Sequence, residues 1–129
     1  MDMMQLIGYG APERAVAAWR EKQGGQLLPL QARAVGEFGL FGGGNLLVQA
    51  PTSSGKTFVG EMAAVAVAAN RRKAVYLAPL KALASEKHAI FADRYAAMGL
   101  RVIVSSRERR EFDGDFERGH FDLAVVVYE

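Results

Sequence analysis

The chain of 129 residues contains no cysteine, which excludes disulfide bonds and any zinc site built on thiolates. It also lacks a long apolar run. The longest helical apolar segment, residues 58–69, includes Glu61 and is too short for a bilayer span, which needs about 20 residues. Residues 1–6 lack the basic-then-apolar order of a secretory signal peptide. We therefore predict a cytoplasmic location and no membrane partner.

Strong charge of one sign is also missing, since the formal net charge is only +2. Two basic clusters occur, at residues 71–73 and 107–110. On charge alone, both are typical of solvated loops. Acidic residues follow the second cluster closely and would weaken its field: Asp113, Asp115 and Glu117. With half of its residues hydrophobic, the chain can form one modest domain with a core.

One segment, Ala50-Pro51-Thr52-Ser53-Ser54-Gly55-Lys56-Thr57, has the pattern of a loop that binds nucleotide phosphates. An apolar run precedes it and an apolar-rich segment follows it, which favours a strand, a tight loop and a helix. In such a loop the backbone N–H groups converge on phosphate oxygens, and the helix N-terminus adds its positive dipole end. We predict a nucleotide site with Lys56 at the β- and γ-phosphates and the Thr57 hydroxyl on Mg²⁺. The alternative is a Ser- and Thr-rich helix cap with a solvated lysine.

Apolar strands alternate with helical segments along most of the chain. This alternation predicts an α/β fold in which a parallel sheet is covered by flanking helices. We expect an irregular charged segment between the third strand and residue 119. The predicted helices are residues 12–22, 30–38, 56–69 and 80–97, and the predicted strands are residues 45–49, 74–78, 101–104 and 122–128.

A second motif, residues 79–87, follows the second predicted strand. One interpretation is the start of an amphipathic helix that packs Leu80, Leu83 and Ala84 inward. The other is a loop whose helix N-terminal N–H groups, assisted by Lys81, bind a nucleic-acid phosphate. The motif by itself leaves both open.

Four blocks, in this order, resemble the first RecA-like domain of superfamily 2 helicases, in particular the Ski2-like group that includes the Hel308-type DNA helicases. They are similar to the family's Q-motif region, motif I, motif Ia and the strand that leads into motif Ib, and they lie at residues 28–35, 50–63, 79–87 and 122–129. The resemblance implies an incomplete RecA-like ATP-binding domain over residues 27–129, after a helical lead-in at residues 1–26.

The resemblance also implies roles for particular residues. The amide of Gln31 would pair with adenine, so ATP with Mg²⁺ is the expected ligand. Residues Pro79, Leu80, Lys81 and Ala82 would contact the backbone of a single strand of DNA or RNA. Trp19 is better explained by packing than by stacking on adenine. A second RecA-like domain, with which the first would close on ATP, is an expected partner.

One absence limits the activity expected of this chain. Hydrolysis of ATP needs carboxylates that hold Mg²⁺ and position water, and the family carries these in an Asp-Glu-x-His box. The chain contains no Asp-Glu dipeptide, so we expect it to bind ATP without hydrolysing it. Another phosphate-loop protein, such as a small-molecule kinase, and a non-catalytic remnant are the alternatives.

The chain ends directly after an apolar strand, and we expect an amino-terminal portion of a longer protein. In a complete domain, strands that come later in sequence would flank residues 45–49. Without them, Leu46, Leu47 and Val48 would form an unpaired apolar edge, which favours self-association or marginal stability.

Overall fold

Residues 1–128 are described by the computed structural model, and they divide into two units within a helix, between Ala66 and Val67. The last residue, Glu129, which the sequence prediction places next to motif Ib, lies outside the described residues. The first unit is Met1–Ala66 and contains the predicted phosphate loop. The second unit begins at Val67 and contains the sheet. Among the described residues, no helix combines the length and the apolar character that a membrane crossing requires.

Proline marks the beginning of the first two helices of the first unit, and glycine marks the end of the first. Helix α1 is Glu13–Gln23; Pro12 precedes it in an extended conformation and Gly24 ends it at a φ of 97°. Helix α2 is Pro29–Gly36, with proline at its first position, where the missing N–H costs nothing. Helix α3 is Lys56–Ala69, as predicted, and extends across the division between the units.

Two short 3₁₀ segments of this unit, Met3–Tyr9 and Leu40–Gly42, were not predicted. The sequence does contain a signal for the beginning of the first segment. Asp2 accepts a hydrogen bond from Met4 N at 2.8 Å, and the Gln5 side chain accepts one from Asp2 N at 2.7 Å. An acidic cap followed three residues later by glutamine is the capping-box pattern.

The core of the first unit is organised around Trp19, which is fully buried. Its ring stacks on Phe41, with centroids 6.4 Å apart and planes 6° apart. Phe58 meets it edge-on at 5.9 Å. A ring enclosed in this way has no free face for a base, so the packing interpretation of Trp19 is confirmed.

The strand predicted over residues 45–49 is wrong. Residues 45–49 join no sheet within residues 1–128, although their side chains alternate between half-buried and exposed. Leu46 and Val48 are half-buried, whereas Leu47 is 83% exposed. A strand requires a neighbour that accepts and donates its backbone hydrogen bonds, so an apolar pattern alone does not make one.

The second unit contains a parallel sheet of three strands in the order β1-β3-β2. The strands are β1 (Ala74–Ala78), β2 (Val102–Ser105) and β3 (Leu123–Val127). Central strand β3 pairs Leu123 with both Ala74 and Val102. Its first three residues are fully buried, as expected for a strand with neighbours on both sides. The predicted α/β class with a parallel sheet is confirmed.

Helix α4 is Lys81–Arg94, shorter than predicted because a 3₁₀ segment, Ala96–Met98, replaces its last turn. Phe91 anchors this helix in the second unit. It is 1% exposed, meets the ring of Tyr76 in β1 edge-on at 5.3 Å and lies 6.3 Å from the ring of Tyr95. The contacts of Phe91 therefore hold the last turn of α4 against β1, and near the start of the helix Ala84 is also fully buried.

The irregular segment expected before residue 119 contains a helix, α5 (Asp113–Arg118), so that expectation is wrong. Two acidic residues occupy its first turn, Arg118 its last, and Gly119 ends it at a φ of 72°. This charge order complements the helix dipole. The Arg101 side chain ties α5 to the sheet, because it donates to Asp115 at 2.7 Å and to the His120 carbonyl at 2.8 Å.

We predict that His88 makes the second unit less stable below neutral pH. Its Nε2 lies 3.2 Å from the Val102 carbonyl oxygen. Burial is the main cause that lowers its pKa below the ordinary 6.5, and Arg109 acts in the same direction; Val102 and Glu111 oppose them. His88 therefore binds a proton more readily in the unfolded chain than in the folded chain. The free energy of unfolding falls as the pH drops below about 6.5.

Urea unfolding monitored by circular dichroism between pH 7.5 and 5.5 checks this. His88→Gln should reduce the fall in the unfolding midpoint, while the matched change at exposed His120 should preserve it. An equal fall in wild type and His88→Gln would contradict the prediction.

Candidate nucleotide and nucleic-acid sites

The predicted phosphate loop forms a tight turn before α3. Ser53 and Gly55 both have positive φ, 71° and 87°. Within the turn, Ser54 donates to the Pro51 carbonyl oxygen from its backbone N, at 3.3 Å, and from its hydroxyl, at 2.5 Å. The chain thereby reverses direction and enters α3 at Lys56.

Lys56 and Thr57 are the first two residues of α3, and both are exposed. The first N–H groups of a helix have no partner inside the helix, so this end can donate to an anion. The Lys56 ammonium folds back and donates to the Ala50 carbonyl oxygen at 2.6 Å. The two side chains line one end of an open cavity of about 490 Å³, and its other walls include Leu46 and Val48.

Gln31 is almost completely buried, 1% exposed, and supports the loop from behind. Its amide oxygen accepts from Leu28 N at 2.9 Å and from Gln23 Nε2 at 2.8 Å. Its amide nitrogen donates to the Gly55 carbonyl oxygen at 3.1 Å. Gln31 is therefore not the exposed helix-start residue of the alternative interpretation, although its bond from Leu28 N does cap the start of α2. Adenine reading remains a prediction, and it requires the amide oxygen to release one of its two donors.

The residues fit a nucleotide phosphate and its Mg²⁺. At Gly55 a Cβ would lie 2.4 Å from Gln31 Nε2 and 2.8 Å from Leu28 Cδ1. Only glycine therefore lets the backbone pack this closely against the Gln31 and Leu28 side chains. A loop held this way keeps its N–H groups in place for phosphate oxygens. The lysine supplies a cation, and the Thr57 hydroxyl supplies an oxygen ligand of the kind that Mg²⁺ prefers.

Glu61, one turn beyond Thr57, is 5% exposed. A carboxylate buried in this way is not presented to a nucleotide. It therefore stays outside the set of candidate catalytic residues.

The second motif lies in the second unit, where β1 ends and α4 begins. Pro79, Leu80, Lys81 and Ala82 are all exposed. Ala84 is fully buried and Leu83 half-buried, as the amphipathic-helix interpretation expects, but Leu80 is 60% exposed, so its predicted inward packing is wrong. Because parallel strands end at the same edge of a sheet, this motif and the segment after β2 extend from one edge.

Sequence reasoning missed one contact of Lys81. Its Nζ lies 2.5 Å from Glu108 Oε1, in the segment after β2. The segment begins with Ser105-Ser106-Arg107-Glu108. Ser105 donates to Asp113 at 2.9 Å, which attaches the segment to α5. The order of acidic and basic residues gave no signal that these particular side chains would pair.

A loop of this kind followed by a helix, together with a parallel sheet, defines a phosphate-loop nucleotide-binding protein. Comparison with known families narrows the class: the model of the DEAD/DEAH box helicase family matches residues 28–128. The match begins near the predicted domain boundary at residue 27, which remains a prediction.

Curated relatives agree with the family match. The chain is 41% identical over 127 residues to the ATP-dependent DNA helicase Hel308 of Pyrobaculum calidifontis, which covers 98% of this chain and 17% of the relative. It is 38% identical over 132 residues to the Hel308 of Pyrococcus abyssi, with the same coverage. It is 38% identical over 110 residues to that of Methanocaldococcus jannaschii, covering 81% of this chain and 9% of the relative.

The chain belongs to the DEAD/DEAH box helicase family and is similar to its Hel308 members. It spans less than a fifth of the length of these curated relatives. Membership of this family excludes the small-molecule kinase interpretation.

We predict that Gly55→Ala disrupts both the fold and the nucleotide site. The new methyl group would meet Gln31 and Leu28, and alanine at positive φ adds about 1–2 kcal/mol of strain. Thermal unfolding should occur several degrees lower than in wild type. Gly8→Ala is the matched control, since a Cβ there meets nothing within 4 Å. Equal melting temperatures for the two variants would show that the contact between Gln31 and Gly55 is not tight in solution.

Proposed function

We propose that this chain is the ATP-binding portion of an ATP-dependent nucleic-acid helicase or translocase. The observation that carries the proposal is the loop ending at Gly55, which is held against the buried Gln31 and leads directly into exposed Lys56 and Thr57. Because the chain spans only part of its relatives, the activity of the whole protein is inferred from theirs. Among the relatives named above, each is an ATP-dependent DNA helicase, which favours DNA.

The first step in this mechanism is a change of partner at Lys56. Its ammonium leaves the Ala50 carbonyl oxygen and pairs with the terminal phosphates of ATP, a stronger charge-assisted interaction. The loop and the first N–H groups of α3 donate to the same phosphates. The Thr57 hydroxyl would be a ligand of Mg²⁺, and the ion would neutralise phosphate charge. Gln31 keeps Gly55 in place and contributes to the preference for adenine.

Binding without hydrolysis is the activity we propose for the chain by itself. The chain contains no Asp-Glu pair that could hold Mg²⁺ and position the attacking water. In the whole protein, the carboxylates and a second RecA-like domain would come from residues outside these 129. The same reasoning supports a non-catalytic binding role for the 129 residues.

Contact with nucleic acid is proposed for residues Pro79, Leu80, Lys81 and Ala82. All four are exposed, and the first backbone N–H groups of α4 have no partner inside the helix. Such groups and one lysine bind phosphate and do not read bases. We therefore propose a sequence-independent contact with a single strand. A cytoplasmic location and self-association of the chain also stay predictions.

We predict that Lys56→Ala weakens binding of ATP–Mg²⁺ at least about tenfold, since a charge-assisted hydrogen bond contributes about 1.5–3 kcal/mol. Isothermal calorimetry measures the affinity, and a coupled assay follows phosphate release. Lys22→Ala, which removes an exposed lysine of the same unit, should leave both unchanged. Steady turnover by wild type that is lost in Lys56→Ala would contradict binding without hydrolysis. Equal affinity of both variants would contradict the site.

We predict that Lys81→Ala weakens binding of single-stranded oligonucleotides of every sequence alike. Loss of one phosphate contact should also reduce the slope of log affinity against log salt by about one. Fluorescence anisotropy across a salt series measures both quantities. Lys87→Ala, a lysine further along α4, removes the same charge and should have a smaller effect. A strong preference for one sequence at fixed salt, or equal effects of the two variants, would contradict the proposed contact.

A further inference from the structure

The proposed phosphate contact at Lys81 has a competitor inside the same unit. Lys81 Nζ and Glu108 Oε1 are 2.5 Å apart, although the two residues are 27 positions apart in sequence. Both side chains are largely exposed, 62% and 66%. The cation that a nucleic-acid phosphate would approach is therefore already paired with a carboxylate of the protein.

Hydrogen bonds hold Glu108 in this position. The turn from Ser106 to Arg109 is closed twice, because Ser106 N donates to the Arg109 carbonyl oxygen and Arg109 N donates to Ser106 Oγ, each at 3.1 Å. The Arg109 guanidinium is itself paired with Glu111 at 2.8 Å. A turn closed in this way keeps the Glu108 carboxylate near Lys81 instead of leaving the pairing to a flexible loop.

We propose that Glu108 competes with nucleic-acid phosphate for Lys81 and thereby lowers the affinity of the chain for single strands. The inference rests on the proposed nucleic-acid contact at residues 79–82. An exposed ion pair shifts an equilibrium by at most about fivefold, so phosphate can displace the carboxylate at a modest cost. Glu108 thus moderates binding without preventing it, which suits a protein that must release one stretch of strand before it holds the next.

The test uses the whole 129-residue chain and a fluorescein-labelled oligothymidylate of about 20 nucleotides, with anisotropy measured at several salt concentrations. Glu108→Gln should tighten binding about two- to fivefold, because Lys81 is then free to meet phosphate. Glu117→Gln is the matched control, since it removes the same charge from an exposed glutamate of α5. It should produce a smaller gain, due only to the lower negative charge of the chain.

The double variant separates direct competition from a general charge effect. In the Lys81→Ala background, Glu108→Gln should gain no more than Glu117→Gln, since no cation remains to be released. Two results would overturn the inference and leave the proposed contact at Lys81 intact. In the first, Glu108→Gln raises the affinity for the oligonucleotide equally in wild type and in Lys81→Ala. In the second, Glu108→Gln and Glu117→Gln raise the affinity of wild type by the same factor. If the single variant Lys81→Ala binds the oligonucleotide as tightly as wild type does, both the proposed nucleic-acid contact and this inference are rejected. Thermal melting verifies that every variant is folded.

Discussion

The geometry of the candidate nucleotide site depends on the contact between the Gln31 amide and Gly55. Gln31 is buried and bonded on both sides, to Leu28 N and Gln23 through its oxygen and to the Gly55 carbonyl through its nitrogen. A buried amide that lost these partners would cost about 1–3 kcal/mol for each group left unpaired. The same contact closes the space behind Gly55 and restrains the loop at the point where Lys56 and Thr57 begin α3. Phosphate binding by backbone groups needs this rigidity, because an N–H that must first be ordered contributes less affinity.

Charges at the second site are balanced within the protein. Lys81, at the start of α4, is paired with Glu108, and Arg109, which follows Glu108 in sequence, is paired with Glu111. In the proposed contact, phosphate binding by Lys81 gives affinity that is independent of sequence and falls with salt, and we infer that the pair with Glu108 reduces it.

Much of the fold follows from local patterns that the sequence displays. Helix α3 and strand β1 agree with prediction at both ends, because an apolar run bounded by turn residues has little choice of structure. The helix at 113–118 was missed although its acidic start and glycine end are standard signals. The strand at 45–49 failed for a different reason: its alternating burial is present, but a sheet neighbour is a property of the fold and not of the segment.

The amino-acid sequence by itself determined the phosphate loop, the α/β class and the helicase resemblance, because each depends on residue types at short spacing along the chain. The tertiary structure alone decided that Gln31 is buried against Gly55, 24 residues away, and that Lys81 pairs with Glu108, 27 residues away. Contacts over such separations depend on how helices and strands pack, and packing brings together side chains whose local patterns carry no information about each other. For the same reason the sequence singled out Gln31 through its resemblance to the family, whereas only the structure shows what its amide holds in place.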